Sequence, residues 1–256
     1  MPMATISNGS DRLQLAYLDE GGESANGATV LLIHGFASTG QVNWVNTSWV
    51  KALTAAGFRV VAFDNRGHGE STKFHDAADY ALEKMAGDAI GLLDFLGIET
   101  AHVMGYSMGA RIAALVAACH GERVNKLVIS GYGWAMVDSS DHWMEIRDSL
   151  LAPSLQDVTT ERGRTFRIFA DQTGSDLVAL AACMEGARRR ISQAELQTVE
   201  NPALVAVGTE DAIAGSGEKL AAALPHGRFL PIPGRDHMKA VGDRRHISGV
   251  VDFLTE

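Results

Sequence analysis

Six short runs of apolar, β-favouring residues punctuate the chain, at residues 28–33, 58–63, 101–104, 126–130, 203–207 and 228–232. They are almost continuously apolar rather than alternating. That is the pattern of strands buried on both faces, as in a mostly parallel sheet covered by helices on each side. Helical stretches fall between or after them, at residues 43–56, 80–96, 108–120, 216–224 and 239–254. Gly57, Gly97, Gly121 and Gly227 stand just past or near the ends of the first four, where a left-handed cap favours glycine. Two earlier segments, 4–7 and 13–18, alternate apolar and polar residues and predict an antiparallel edge hairpin. The expectation is an α/β chain with a mostly parallel eight-stranded sheet flanked by helices.

One region breaks the rhythm. Residues 134–198 contain no convincing strand but carry helical patterns rich in Trp143, Met144, Phe166, Phe169 and Met184. They fall between the fourth and fifth of the buried runs and read as a helical cap insertion over one end of the sheet. The predicted organisation is a core of residues 1–133 and 199–256 with a cap of residues 134–198.

Composition narrows the partners. With 46% hydrophobic and 21% charged residues the chain is an ordinary globular one. A net charge of −9 argues against nucleic acid or an anionic membrane as partner, since both call for a basic footprint. There is no stretch of 18 uninterrupted apolar residues and no basic-then-apolar leader, so the expected compartment is the cytoplasm. Cys119 lies in the apolar run 112–119 and is expected to be a small buried hydrophobe. Nothing in the sequence sets the oligomeric state.

The strongest chemical signal is Gly105-Tyr106-Ser107-Met108-Gly109, which follows a strand and opens a helix. A serine on so sharp a turn projects its hydroxyl above the sheet edge. Glycine is needed on both sides because a Cβ there would strike the neighbouring strand or helix. The helix start supplies a positive dipole end and a free N–H at Met108.

With that motif the chain resembles the α/β-hydrolase superfamily, over nearly its whole length. His34-Gly35-Phe36 after the first buried run is similar to the family's HG motif, and Asp64-Asn65-Arg66-Gly67-His68-Gly69-Glu70-Ser71 to its D-x-R-G-x-G-x-S stretch. The resemblance implies the α/β-hydrolase fold and a catalytic triad in the order serine, acid, histidine. It makes Ser107 the nucleophile and the backbone N–H groups of Phe36 and Met108 the oxyanion hole. Of nine histidines, His237 sits in the loop between the last buried run and the last helix, where the family keeps its base. Gly208-Thr209-Glu210-Asp211 matches the family's G-x-x-D, which points to Asp211 as the acid. Glu210 and Asp236 are the neighbouring rivals. The implied activity is hydrolysis of a carboxylic ester of a small or medium, largely apolar molecule. Lactone, thioester and carbon–carbon cleavage, perhydrolysis, or a ligand-binding role with little turnover, are open on the same triad. Trp134, Trp143, Met144, Phe166 and Phe169 are candidate walls of the substrate pocket.

The remaining polar features have structural readings. His34 is expected to bond nearby backbone, Asp64, Arg66 and Ser71 to hold their loops in shape, and Arg188-Arg189-Arg190 to form a solvated face. No H-E-x-x-H or Cys–His cluster suggests a metal. Gly67-His68-Gly69 lacks the third glycine of a dinucleotide loop, and Gly215-Ser216-Gly217-Glu218-Lys219 lacks the adjacent Gly-Lys of a phosphate loop. No cofactor is implied. A serine rather than an aspartate nucleophile argues against the haloalkane dehalogenase and epoxide hydrolase branches.

Overall fold

The computed structural model describes residues 1–22, 27–138 and 143–256. Eight strands form one sheet: β1 (Met3–Asn8), β2 (Asp11–Glu20), β3 (Thr29–Ile33), β4 (Arg59–Phe63), β5 (Ala101–Tyr106), β6 (Val124–Ser130), β7 (Ala203–Gly208) and β8 (Gly227–Ile232). Their spatial order is β1-β2-β4-β3-β5-β6-β7-β8. The β1–β2 and β2–β4 pairs are antiparallel, and every other pair is parallel. This is the mostly parallel eight-stranded sheet that the apolar runs predict, with the antiparallel hairpin at one edge.

The double burial of the central strands shows in how their residues divide. Leu31, Ile33, Val61, Phe63, Val103, Leu127 and Val205 face one core, shared with α2 (Leu82–Phe95), α3 (Met108–Cys119) and α8 (Gly217–Ala223). Val30, Leu32, Val60, Ala62, Met104, Val128 and Leu204 face the other, packed on α1 (Trp49–Ala55) and α9 (Arg244–Thr255). The period of two sends successive residues to opposite faces, so a strand between two helical layers is apolar at most positions on both faces. In α2, Leu82, Met85, Ala86, Ala89, Leu92 and Leu93 recur at helical spacing and are buried. In α3 every residue from Met108 to Ala117 is buried, which marks it as the central helix.

Some boundaries depart from the sequence reading, each for a physical reason. The helix expected over 43–56 is split into a π-helical turn, Gln41–Val45, and α1, with Ser48 left-handed at φ 71° between them. On a continuous α-helix Trp44 and Trp49 would project roughly 140° apart. The break lets both bury completely, edge to face at 6.0 Å. The last helix begins at Arg244 because the Asp243 side chain accepts the Arg245 N–H and caps it there. Gly57 and Gly97 take the left-handed conformation expected of caps, at φ 90° and 66°. Gly121 and Gly227 do not. Gly227 starts β8, where a Cβ would lie 2.1 Å from the Ala221 carbonyl, so close approach is the reason for that glycine. Cys119 is exposed at the end of α3 and Cys183 is buried, and both are free thiols. The apolar run misled because its final residue falls on the solvent side.

Residues 143–196 carry α4 (Trp143–Leu151), α5 (Glu161–Gln172), α6 (Leu177–Gly186) and α7 (Gln193–Leu196), all between β6 and β7. Residues 139–142 of the predicted insertion lie outside the described residues. This helical segment is tied to the sheet by Arg111 of α3. Its buried guanidinium donates to the Ala187 carbonyl at 2.7 Å and to the Arg189 carbonyl, and lies 5.0 Å from the Trp143 ring centre. The arginine run is therefore not simply a solvated face, since Arg189 also pairs with Glu83 at 2.6 Å and with Glu195. No helix among the described residues is long and apolar enough to cross a membrane.

Below the β4 loop, Arg66 is fully buried and forks onto Asp88 with two bonds of 2.6 Å. It also reaches Asp11 Oδ2 at 3.0 Å and the Asp79 carbonyl at 2.6 Å. Removing one partner of such a pair strands a buried charge, which is far more harmful than removing both. Arg66→Met is expected to lower unfolding free energy by about 3–5 kcal/mol, and Arg66→Met with Asp88→Leu to recover a large part of it. Urea denaturation of the two variants checks this. A double variant no more stable than the single one would contradict it.

Candidate active site

Ser107 is the single residue between β5 and α3, with φ 55° and ψ −115°. L-residues rarely adopt such a backbone, which costs about 1–3 kcal/mol where the surroundings enforce it. Here they do. A Cβ on Gly105 would lie 2.0 Å from the Gly109 carbonyl, and one on Gly109 would lie 2.0 Å from the Ile33 carbonyl. The paired glycines let helix and strands close on the turn, as the motif demands. The Ser107 N–H is tied to the Ser130 carbonyl of β6 at 2.8 Å.

Two loops at the same sheet edge bring the other members. After β7, Asp211 turns inward with a side chain wholly removed from solvent. Its Oδ1 accepts the N–H groups of Ile213 and Ala214, each at 2.9 Å. Its Oδ2 is left for His237 Nδ1, at 2.8 Å. His237 Nε2 stands 2.9 Å from Ser107 Oγ. Because an anionic carboxylate can only accept, Nδ1 carries the proton and Nε2 accepts from the serine hydroxyl. The rivals lie elsewhere: Glu210 is exposed, and Asp236 pairs with Lys239 at 2.9 Å.

The two loops are clamped to each other. The Glu210 N–H donates to the Arg235 carbonyl at 3.0 Å, and the Gly234 N–H to Thr209 Oγ1 at 2.9 Å. A Cβ on Gly208 would come within 2.1 Å of that Arg235 carbonyl. From below, the Tyr106 hydroxyl donates to the carbonyl of His237 itself at 2.5 Å.

On the far side of Ser107 lies the loop after β3. A Cβ on Gly35 would stand 3.3 Å from the Ser107 Cβ, so the backbone just before Phe36 packs against the serine. Met108, the first residue of α3, has an N–H that the helix does not use. Asn43 steadies the loop by accepting the Gly35 N–H on Oδ1 at 3.0 Å. His34 accepts the Asn65 N–H on Nε2 at 2.9 Å and donates from Nδ1 to the Gly35 carbonyl at 2.7 Å. Burial pushes His34 down to about 4 and His68 beside it to about 3, which keeps both neutral. Asp64 accepts the N–H groups of Gly40 and Glu70, at 2.8 and 2.9 Å, and its carbonyl takes the Ser71 hydroxyl at 2.5 Å. These residues shape loops, as the sequence reading expects.

A cavity of two lobes opens at Ser107. One, of about 290 Å³, is walled by Met108, Tyr132, Trp143, Ile146 and Met184, with Asp138 and Arg162. The other, of about 260 Å³, is walled by Val42, Asn43, Phe169, His237, Met238 and Val241. Phe36, Ser107, Phe166 and Ile213 belong to both. Of the candidate wall residues, Trp143 and Phe166 line the first lobe, and Phe166 and Phe169 the second. Trp134 and Met144 lie outside these walls. The Trp134 ring sits beneath the Lys219 ammonium at 4.0 Å, and the Met144 sulfur meets Arg188 at 3.7 Å.

The family described as alpha/beta hydrolase fold matches residues 28–181. The chain belongs to that family. This alpha/beta hydrolase is 40% identical over 132 residues to the 2-hydroxy-6-oxononadienedioate/2-hydroxy-6-oxononatrienedioate hydrolase 2 of Pseudomonas putida, covering 51% of this chain and 44% of that one. It is 40% identical over 100 residues to epoxide hydrolase B of Mycobacterium tuberculosis, covering 38% of this chain and 26% of the relative. The chain thus spans less than half the length of either of these curated relatives. Among solved structures it is similar to the enol-lactonase from Burkholderia xenovorans LB400, with a TM-score of 0.82 and 25% identity over 100% of both chains.

Two residues of this alpha/beta hydrolase site escape a motif reading. Tyr106 is the variable position of G-x-S-x-G, and Asn43 looks like any polar residue of a helical stretch. Both act through backbone partners 131 and 8 residues away, which no local pattern records. A serine held on a base by this geometry is a specific target for electrophiles. A fluorophosphonate is expected to label Ser107 alone among the serines, and His237→Ala to slow labelling at least about 100-fold. Peptide mapping by mass spectrometry reads both, and label on another serine would contradict the assignment.

Proposed function

We propose that the protein is a serine hydrolase that cleaves a carboxylic ester of a small or medium, largely apolar molecule. The observation that carries this reading is the hydrogen-bonded series Asp211–His237–Ser107 ending at a two-lobed cavity. Ser107 Oγ attacks the ester carbonyl while His237 Nε2 takes its proton. Asp211 holds the tautomer and stabilises the imidazolium. The Phe36 and Met108 N–H groups receive the developing oxyanion, a contribution of about 3–4 kcal/mol for one such donor in comparable enzymes. The imidazolium gives its proton to the departing alcohol and leaves Ser107 acylated. A water, deprotonated by the same nitrogen, then releases the acid.

The likeness to an enol-lactonase argues for including a lactone in the substrate set, since ring opening follows the same acyl steps. Epoxide opening through a covalent ester requires a carboxylate nucleophile, and residue 107 is a serine.

Ser107→Ala is expected to lose at least about 1,000-fold in turnover of p-nitrophenyl butyrate while keeping its thermal transition. A variant as active as the parent would refute the assignment. Fluorophosphonate labelling of the parent with negligible turnover across esters, lactones and thioesters would instead favour a ligand-binding role. Asn43→Ala frees the Gly35 N–H and loosens the loop that carries the Phe36 N–H. It is expected to lower kcat by about 10–100-fold with little change in KM, as steady-state kinetics would show. An unchanged kcat would remove Asn43 from the positioning of that loop.

A further inference from the structure

The two lobes are not equivalent with respect to proton transfer, and this assigns each to one part of a substrate. The assignment rests on the hydrolase reading above. When the tetrahedral intermediate collapses, the proton on His237 Nε2 must reach the leaving oxygen, so the leaving group lies on the imidazole's side of Ser107. His237 lines the smaller lobe and not the larger. The alcohol therefore occupies the lobe of Val42, Phe169, Met238 and Val241. The acyl chain occupies the lobe of Tyr132, Trp143, Ile146 and Met184.

That acyl lobe carries a cation. Arg162, in the first turn of α5, lines it and makes no hydrogen bond or ion pair among the described residues. The other arginines of α4 and α5 are all engaged. Arg147 pairs with Asp148 and Glu185, Arg164 donates to the Leu155 carbonyl, and Arg167 pairs with Asp171. Arg189, further on, is held by Glu83 and Glu195. Asp138 also lines the lobe, but it is exposed and forms no ion pair with Arg162. A guanidinium with no partner among the described residues, set beside an apolar wall, presents a planar fork of donors suited to a carboxylate.

We propose that Arg162 receives a carboxylate at the far end of the acyl chain, so that the preferred substrates are half-esters of short dicarboxylic acids with apolar alcohols. Such a chain is apolar through its middle, as the walls are, and anionic only where Arg162 stands.

The experiment compares kcat/KM for mono-p-nitrophenyl adipate with that for p-nitrophenyl hexanoate, which differ at the end of the acyl chain. The parent protein is expected to favour the adipate by about tenfold or more, the scale of a hydrogen bond to a charged group. Arg162→Gln is expected to abolish that preference, mainly through KM, and Arg162→Lys to retain part of it. A parent that favours the hexanoate, or a preference that Arg162→Gln leaves intact, overturns the proposal. A second ester pair bearing the carboxylate on the alcohol side tests the lobes. If Arg162→Gln alters that preference instead, the assignment of lobes is reversed and the proposal fails. Failure of the underlying hydrolase reading is distinct, because the parent protein would then cleave none of these esters.

Discussion

Everything at the site depends on one residue being held where its backbone does not prefer to be. Ser107 occupies a positive-φ conformation, φ 55° and ψ −115°, between a buried strand and a buried helix. The turn survives because Gly105 and Gly109 permit backbone-to-backbone approaches that no other residue allows. Those approaches are themselves secured by two hydrophobic layers on either side of the sheet. The strain is small against the packing that enforces it, and it leaves a hydroxyl standing clear of the sheet with a helix start beneath it.

The partners reach that hydroxyl because of how the sheet ends. Parallel strands finish at a common edge, so the loops after β3, β5, β7 and β8 converge there although they are far apart in the chain. Convergence alone does not align an imidazole. Alignment comes from the backbone clamp between Glu210 and Arg235, from the Tyr106 hydroxyl under the His237 carbonyl, and from the two N–H groups that orient Asp211. A carboxylate held by three donors has a fixed direction, and the imidazole inherits it. The buried histidines of the neighbouring loop, kept neutral by burial, behave in the opposite way, as rigid spacers rather than proton carriers.

The central strands and the Ser107 turn are legible from sequence because each follows from a local signal, and residues 211 and 237 are legible through the resemblance to the family. Continuous apolar runs announce strands between helical layers, and a serine between two glycines at a strand–helix junction announces the turn. What resists reading is set by direction rather than by composition. Cys119 closes an apolar run yet faces solvent. Trp44 and Trp49 break a helix because both must point inward. Trp134 and Met144 belong to the same aromatic-rich segment as Trp143 and Phe166 but turn away from the cavity. Asn43 and Tyr106 matter through a backbone atom supplied by another loop. Arg162 is one of several arginines in its segment, and only the placement of the others shows it to be unpaired among the described residues.

In the proposed reaction Ser107 Oγ bonds to the reacting carbon while the amides of Phe36 and Met108 hold its oxygen. A crystal structure of the protein after reaction with an alkyl p-nitrophenyl phosphonate, a tetrahedral mimic, tests this most directly. The prediction is phosphorus bonded to Ser107 Oγ with its oxygen about 2.7–3.1 Å from both amide nitrogens and its alkyl chain in one of the two lobes. An adduct whose phosphoryl oxygen points to solvent, away from both amides, would contradict it.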